Sequence, residues 1–282
     1  MGSGSTCSRI TERVSLLLRL GNDRTFPRPD LKVLAKQLRV ALTPRNGMLK
    51  ATLANGAVVY GRNRAGAGGR AVYIYGDKYE PEFEHLDRLL DDTGVYIEVG
   101  ANTGKHSIKA AKHFGDDGVV IAIEPNPDVL SILNRSVQAN GFSTLRLRNF
   151  CVGERKSSGV LWMNNRMPVM FSLAKNDEDA DGISTLTLTL DDLFAWEDLD
   201  RLDFLKICAE GFEGQVVAGG RATIGKYRPI VQIEDVTVEV PIDEPDYTCF
   251  KPPSGSISKT WIPNESPKLE VAKQLGWNVV SQ

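Results

Sequence analysis

The chain has 282 residues, of which 41% are hydrophobic and 25% charged, with a net charge of −2. These values fit one globular core with appendages rather than two equal domains. No apolar run approaches the roughly 20 residues of a membrane span, and the four cysteines and three histidines show no zinc spacing. No metal site is expected, and the scattered cysteines read as reduced thiols in a cytoplasmic setting. Charge is distributed unevenly. Residues 1–70 carry thirteen Lys or Arg and three acids, leaving 21 basic and 33 acidic side chains for the other 212. A basic segment of this kind suits an anionic or phosphate-bearing partner. It equally suits a solvated face that pairs with an acidic core.

In chain order, Met1 to Ser5 reads as an expression scar or a disordered end. Amphipathic helices are predicted over 9–20 and 30–41, separated by Gly21-Asn22-Asp23 and Pro27-Arg28-Pro29. Residues 48–75 alternate apolar and polar around Asn55-Gly56, which predicts a hairpin. Glu82 to Asp91 reads as a helix leading into a first core strand, Val95 to Val99. From Lys105 onward Ile108, Ala111 and Phe114 recur at the helical period. Val119 to Ile123 is a continuous apolar run, as in a parallel strand buried on both faces.

A helix over 128–139 ends at Asn140-Gly141, a good C-cap, and residues 144–152 supply a third strand. The interval 157–190 is a meander, with a strand over Ile183 to Leu190. Leu202 to Ile207 is the fourth core strand and Ile230 to Glu234 the fifth. Between them a helix over Glu213 to Tyr227 is weakened by Gly219, Gly220 and Gly225. Pro241, Pro245, Pro252 and Pro253 predict an extended excursion. A helix over Pro267 to Leu275 and a short strand over Trp277 to Val280 follow, without two full terminal strands. The whole is an α/β chain with a doubly wound, mostly parallel sheet and an N-terminal helical and hairpin extension.

Strand, glycine loop and helix over 95–114 form the first half of a βαβ unit, where a nucleotide-like ligand approaches bare backbone. Dinucleotide binders want G-x-G-x-x-G, but position 102 is Asn and the two glycines, Gly100 and Gly104, are four apart. Glu124 closes the second strand 24 residues after Gly100, about where βαβ folds place a carboxylate against ribose hydroxyls. The other reading of Glu124 is a cap for the helix that follows.

The runs Ile97-Glu98-Val99-Gly100-Ala101-Asn102-Thr103-Gly104, Ile123-Glu124-Pro125-Asn126-Pro127 and Leu205-Lys206-Ile207-Cys208-Ala209-Glu210-Gly211-Phe212-Glu213 resemble the FkbM-type methyltransferases. Thr189-Leu190-Asp191-Asp192-Leu193 and Tyr227-Arg228-Pro229-Ile230-Val231 extend the resemblance over about residues 79–235. It implies a Rossmann-like class I methyltransferase core and S-adenosyl-L-methionine (SAM) as donor. It also implies O-methyl transfer to a hydroxyl of a sugar, a glycosylated metabolite or another natural product. The expected parts are a basic extension over 1–75, a SAM-binding core over 76–240 and a C-terminal extension over 241–282 completing the sheet edge. Donor contacts are expected from Glu98, Gly100, Ala101, Asn102, Thr103, Gly104, Glu124 and Pro125, with Cys151 and Val152 at the adenine. One departure stands out, because the family usually has Asp where this chain has Cys208.

A hydroxyl acceptor benefits from a base at the carboxyl ends of the core strands. Glu210 is the first candidate, with capping of the next helix as its structural alternative, and Glu234 the second. Lys206 breaks the apolar pattern of a central strand and needs a partner when buried. Glu98 on the neighbouring strand is the expected one, which leaves Lys206 a lesser candidate as base. Glu80 and Glu82 are placed to fold over the donor, and His106 to pack against the strand ends. Two other functions are consistent with the sequence. One is a ribose or RNA methyltransferase using the basic arm; the other is a donor-binding homologue without catalysis.

Overall fold

The computed structural model describes residues 31–44, 47–64, 69–163, 171–172, 182–234, 246–253 and 256–280. The helix predicted over 9–20 lies outside these residues. Helix α1 (Leu31–Leu42) leads into an antiparallel hairpin of β1 (Met48–Thr52) and β2 (Val58–Arg62). Its turn is closed by Leu53 N–H donating to the Ala57 carbonyl at 2.8 Å. The hairpin is shorter than the alternation suggests, because Gly69–Tyr75 is helix α2. The cause is tertiary: a Cβ on Gly61 would stand 2.3 Å from the Gly69 Cα, so α2 begins directly against β2. A 3-10 turn (Gly76–Tyr79), α3 (Pro81–Glu84) and α4 (Leu86–Leu89) follow. The single helix predicted over 82–91 is thus broken at His85, whose φ of −105° and ψ of 10° leave the helical region.

The core runs β3 (Val95–Val99), α5 (Lys105–Phe114), β4 (Val119–Ile123), α6 (Pro127–Asn140) and β5 (Leu145–Arg148). A separate four-stranded sheet then contains β6 (Cys151–Val152), β7 (Ser157–Met163), β8 (Phe171–Ser172) and β9 (Gly182–Leu188). The predicted third strand is therefore two strands in two sheets. After α7 (Leu190–Trp196) come β10 (Phe204–Ile207), α8 (Glu213–Ala218), α9 (Arg221–Tyr227) and β11 (Ile230–Glu234). The end of the described chain forms β12 (Tyr247–Lys251), β13 (Ser258–Pro263), α10 (Lys268–Gln274) and β14 (Asn278–Val279).

The large sheet has the order β14-β12-β13-β11-β10-β3-β4-β5. Strands β5, β4, β3, β10 and β11 are parallel, and β13 adds antiparallel to β11. The α/β class and doubly wound sheet are those expected. The antiparallel β12–β13 hairpin is not: Pro252 and Pro253 fall in the turn just past β12 and leave the ladder intact. The chain moves outward from β3 to β5 and returns beside β3 as β10, so the strand order reverses between β3 and β10. Ligands of open α/β sheets bind in the crevice at such a switch point.

Both sheet faces are covered. Tyr96, Phe204 and Ile230 pack with Phe83, Ile108, Phe114 and Leu133 on one side. Ile97, Leu205 and Val231 pack with Leu193, Val216 and Ile224 on the other. The register also sets Glu98, Lys206, Gln232 and Thr260 side by side across β3, β10, β11 and β13. All four are buried. A polar row through a parallel core needs partners for every member, and these partners define the site.

Candidate functional site

The loop after β3 is built by three left-handed residues, Gly100 (φ 77°), Asn102 (φ 51°) and Gly104 (φ 75°). At the two glycines a side chain would also collide with its surroundings, with backbone at Gly100 and with a side chain at Gly104. A Cβ on Gly100 would lie 1.8 Å from the Cys208 carbonyl oxygen, and one on Gly104 would lie 2.0 Å from Leu133 Cδ1. The N–H groups of Gly100 and Ala101 both donate to the Ile123 carbonyl at 2.9 Å, tying the loop to the end of β4. Thr103 is buried beneath it.

Glu124 grips the same loop from β4. Its Oε2 accepts from Asn102 N–H at 2.8 Å and its Oε1 from Asn126 N–H at 2.9 Å. The helix cap itself is the Asn126 side chain, which accepts from Asp128 and Val129 N–H. Burial pushes the Glu124 carboxyl up to about 7, against the pull of the Asn126 and Asn102 N–H groups. Asn149 Nδ2 donates to the Glu124 and Pro125 carbonyls, which fixes the turn beyond the strand.

Glu98 is held by α5. Its Oε2 accepts from Ser107 N–H at 3.0 Å and from the Ser107 hydroxyl, so it closes the first turn of α5 from below. Lys206 turns the other way and donates to Glu234 Oε2 at 2.7 Å, so the expected Glu98–Lys206 ion pair is replaced by Lys206–Glu234. The register brings Glu98 beside Lys206, but the helix N-terminus holds its carboxylate. Lys206 draws Glu234 down to about 2 against the cost of burial, and the Cys208 thiol also bonds to Glu234. Burial works against the Lys206 charge, yet Glu234, Cys208 and Glu98 hold its proton more firmly than usual. Lys206 is thus held as a cation against Glu234 and fixes the position of that carboxylate. Burial, followed by Glu234, raises the Cys208 thiol well above its ordinary value, so it is a neutral donor.

The turn after β10 carries Glu210 in the left-handed region (φ 51°) beside Gly211 (φ 94°). Glu210 is exposed, and its charge reaches both Glu124 and Cys208. The buried acid of this turn is Glu213, whose carboxylate accepts from Ala209 N–H at 2.8 Å and Gly211 N–H at 3.0 Å. The sequence places it with Glu210 among the candidate acids just beyond the fourth strand, and an acid at the first position of α8 also suits the helix N-terminus.

Sequence reasoning missed Lys105, although it directly follows the second loop glycine. It pairs with both Glu80 oxygens at 2.5 and 2.6 Å and lies 4.9 Å from the centre of the Tyr79 ring. Burial raises the Glu80 carboxyl, Lys105 opposes this, and Glu234 adds to it, so the two ion pairs sense each other. Glu82 lies deeper, with Oε1 accepting from the Ser258 hydroxyl at 2.7 Å. His106 packs edge-on against Phe83, 4.9 Å between ring centres, and burial keeps it neutral.

Cys151 and Val152 lie buried at the start of the second sheet. Cys151 Sγ is 3.7 Å from Thr185 Oγ1, and burial pushes its thiol to about 11, with a smaller push from Glu124. The structure thus brings Cys151 into electrostatic reach of Glu124. Among the described residues no group of three or more His, Cys, Asp or Glu side chains can hold a metal ion.

The residues present fit a nucleoside carrying a vicinal diol. Glu124 keeps acceptor capacity beyond its two backbone bonds. Asn102 Oδ1 is shielded from solvent and has no hydrogen-bond partner among the described residues, and the loop backbone packs tightly because Gly100 and Gly104 carry no Cβ. Comparison with known proteins supplies the family. None of the curated proteins matches. Among solved structures, the methyltransferase FkbM from Methylobacillus flagellatus KT is similar at 19% identity. That match covers 68% of this chain and 52% of that one, with a TM-score of 0.44, so this chain spans about half the length of that relative. The O-methyltransferase from Bacillus cereus, solved in complex with S-adenosylhomocysteine (SAH), is similar at 11% identity over 90% of both chains, with a TM-score of 0.36. M. capricolum TrmK, in complex with SAH, is similar at 10% identity over 65% of this chain and 67% of that one, also at 0.36. The assignment rests on the family model for the methyltransferase FkbM domain, which matches residues 98–245. With more than half of its length matched, the chain belongs to the FkbM methyltransferase domain family, and its cofactor is S-adenosyl-L-methionine.

Proposed function

We propose that this chain transfers a methyl group from SAM to a hydroxyl oxygen of a sugar, a glycosylated metabolite or another natural product in the cytoplasm. Residues 76–240 form the catalytic core in this reading, and 241–282 complete the sheet edge. The carrying observation is the set of groups beside the glycine loop at the switch point: Glu234 anchored by Lys206, the neutral Cys208 thiol, and Glu210 on the exposed turn after β10, whose charge reaches Cys208 and Glu124. The donor brings an electrophilic methyl group on a positively charged sulfur, already a good leaving group.

The chain's own contribution is then placement and proton transfer. Gly100 to Gly104 leave room for the donor, and Glu124 accepts from its ribose hydroxyls. Glu234, held ionised and immobile by Lys206, accepts a hydrogen bond from the acceptor and orients its oxygen. Such a firmly paired carboxylate is a weak base. Glu210, on its exposed turn, takes the proton as the new bond forms and can release it to solvent.

Methyl transfer to a panel of sugars and glycosides, read as the mass gain of one methyl group, tests the reading. Glu210→Gln is expected to lower kcat about 10²- to 10⁴-fold while SAH affinity stays unchanged. Unchanged kcat removes Glu210 as the base. Donor binding without turnover on any hydroxyl, with activity gained in Cys208→Asp, would support the non-catalytic homologue instead.

A further inference from the structure

Helix α1 has two apolar faces, and only one packs against the other described residues. Val33 and Val40 turn inward, where Val40 packs with Leu49 and Ile74. Leu31, Leu34, Leu38 and Leu42 turn outward, exposed by 84%, 46%, 58% and 69%. At 3.6 residues per turn these four and the exposed Ala35 share one strip about 100° wide. A single exposed leucine needs no explanation, but a continuous strip of them marks an interaction surface. Lys32 and Arg39 are exposed along one edge of the strip. Lys36, between them, leans toward the Ile74 carbonyl at 3.4 Å. The segment that carries the strip is one-sided in charge: between Asp30 and Asp77 the chain has eight Lys or Arg and no acid.

We infer that the outer face of α1 docks on an anionic lipid surface. Leucines along a helix ridge seek the acyl boundary, and flanking basic side chains seek lipid phosphates at the same depth. The other occupants fit less well. A nucleic acid satisfies the basic edge but offers nothing to four leucines. A second copy in a two-fold contact sets this acid-free segment against itself, which like charges oppose. No helix among the described residues is long and apolar enough to cross a membrane, so the attachment is peripheral and reversible.

Flotation of the full chain with phosphatidylcholine vesicles, with and without phosphatidylglycerol, tests the inference. Binding is expected only to the anionic vesicles, weakening steeply as salt screens the surface. The double variant Leu34→Glu/Leu38→Glu is expected to weaken it at least tenfold with no change in thermal midpoint. Four results would overturn the inference. The first is no binding to anionic vesicles. The second is binding that survives the leucine variant, is lost in Lys32→Glu/Arg39→Glu and is competed by RNA, which makes the site a polyanion site. The third is a dimer, seen by light scattering without vesicles, that the leucine variant dissociates. The fourth is a clear drop in thermal midpoint in the leucine variant, which shows that the chain itself covers the strip.

Discussion

Gly100→Ala is expected to abolish SAH binding and to lower stability by about 3 kcal/mol, roughly 5 °C in thermal midpoint. The left-handed φ of 77° already disfavours any side chain. The larger cost is that the new Cβ would meet the Cys208 carbonyl oxygen at 1.8 Å, and that obstacle is backbone. No rotamer change relieves it. Either the loop moves or the end of β10 does, and the 2.9 Å bond from Cys208 N–H to the Val99 carbonyl is lost. Gly104→Ala meets the Leu133 side chain instead, which can turn aside. It should therefore retain weak SAH binding. Thermal melts and calorimetric titration of the two variants separate the cases. Equal losses would show that strain at φ matters more than the contact with β10.

Glu234→Ala is expected to cost about 3 to 5 kcal/mol in urea unfolding, because it leaves Lys206 charged, 1% exposed and without its 2.7 Å partner. Adding Lys206→Met should recover most of that loss, since an apolar side chain of similar length suits the row between Glu98 and Gln232. Lys206→Met alone should cost less than Glu234→Ala, because Glu234 is the more accessible partner. The pair also sets a pH signature. The Glu234 carboxyl sits at about 2 in the folded chain against an ordinary 4.5. Its stabilising contribution is present above pH 4.5 and disappears as pH falls toward 2. A loss below about 1 kcal/mol in Glu234→Ala would mean that Glu98 serves Lys206 equally well.

The parts of this site set by local pattern are visible in the sequence. The apolar run Val119–Ile123 and the strand Ile230–Glu234 occupy the predicted residues, and Gly141 ends α6 with a left-handed cap as Asn140-Gly141 suggests. What long-range contact decides is not visible. The helix predicted over 213–227 is two helices, because Gly219 lets the backbone at Gly153 approach within 2.0 Å of where a Cβ would stand. Lys206 announces a buried partner, but two strands flank β10, and the choice of Glu234 over Glu98 depends on Ser107 claiming Glu98. Glu80 finds Lys105 across 25 positions, a pairing that only the fold of the 76–84 segment creates. The glycine loop and Glu124 could be located from spacing; the electrostatic shell behind them could not.

Everything rests on Glu124 as the carboxylate that receives the donor's ribose, and calorimetric titration of SAH between about pH 5.5 and 8.5 tests it most directly. The group ionises near 7 when buried without ligand, and hydroxyl donors favour its ionised form. SAH affinity should therefore rise with pH up to about 7 and then level off. The apo chain should lose about 3 kcal/mol of stability over about pH 4.5 to 7, since the native state keeps a proton that the unfolded chain has released. In Glu124→Ala, which controls for titration of the ligand itself, affinity should be about 10- to 100-fold weaker at high pH, with that rise missing. Equal affinity in the variant, or the same pH dependence, would contradict the account.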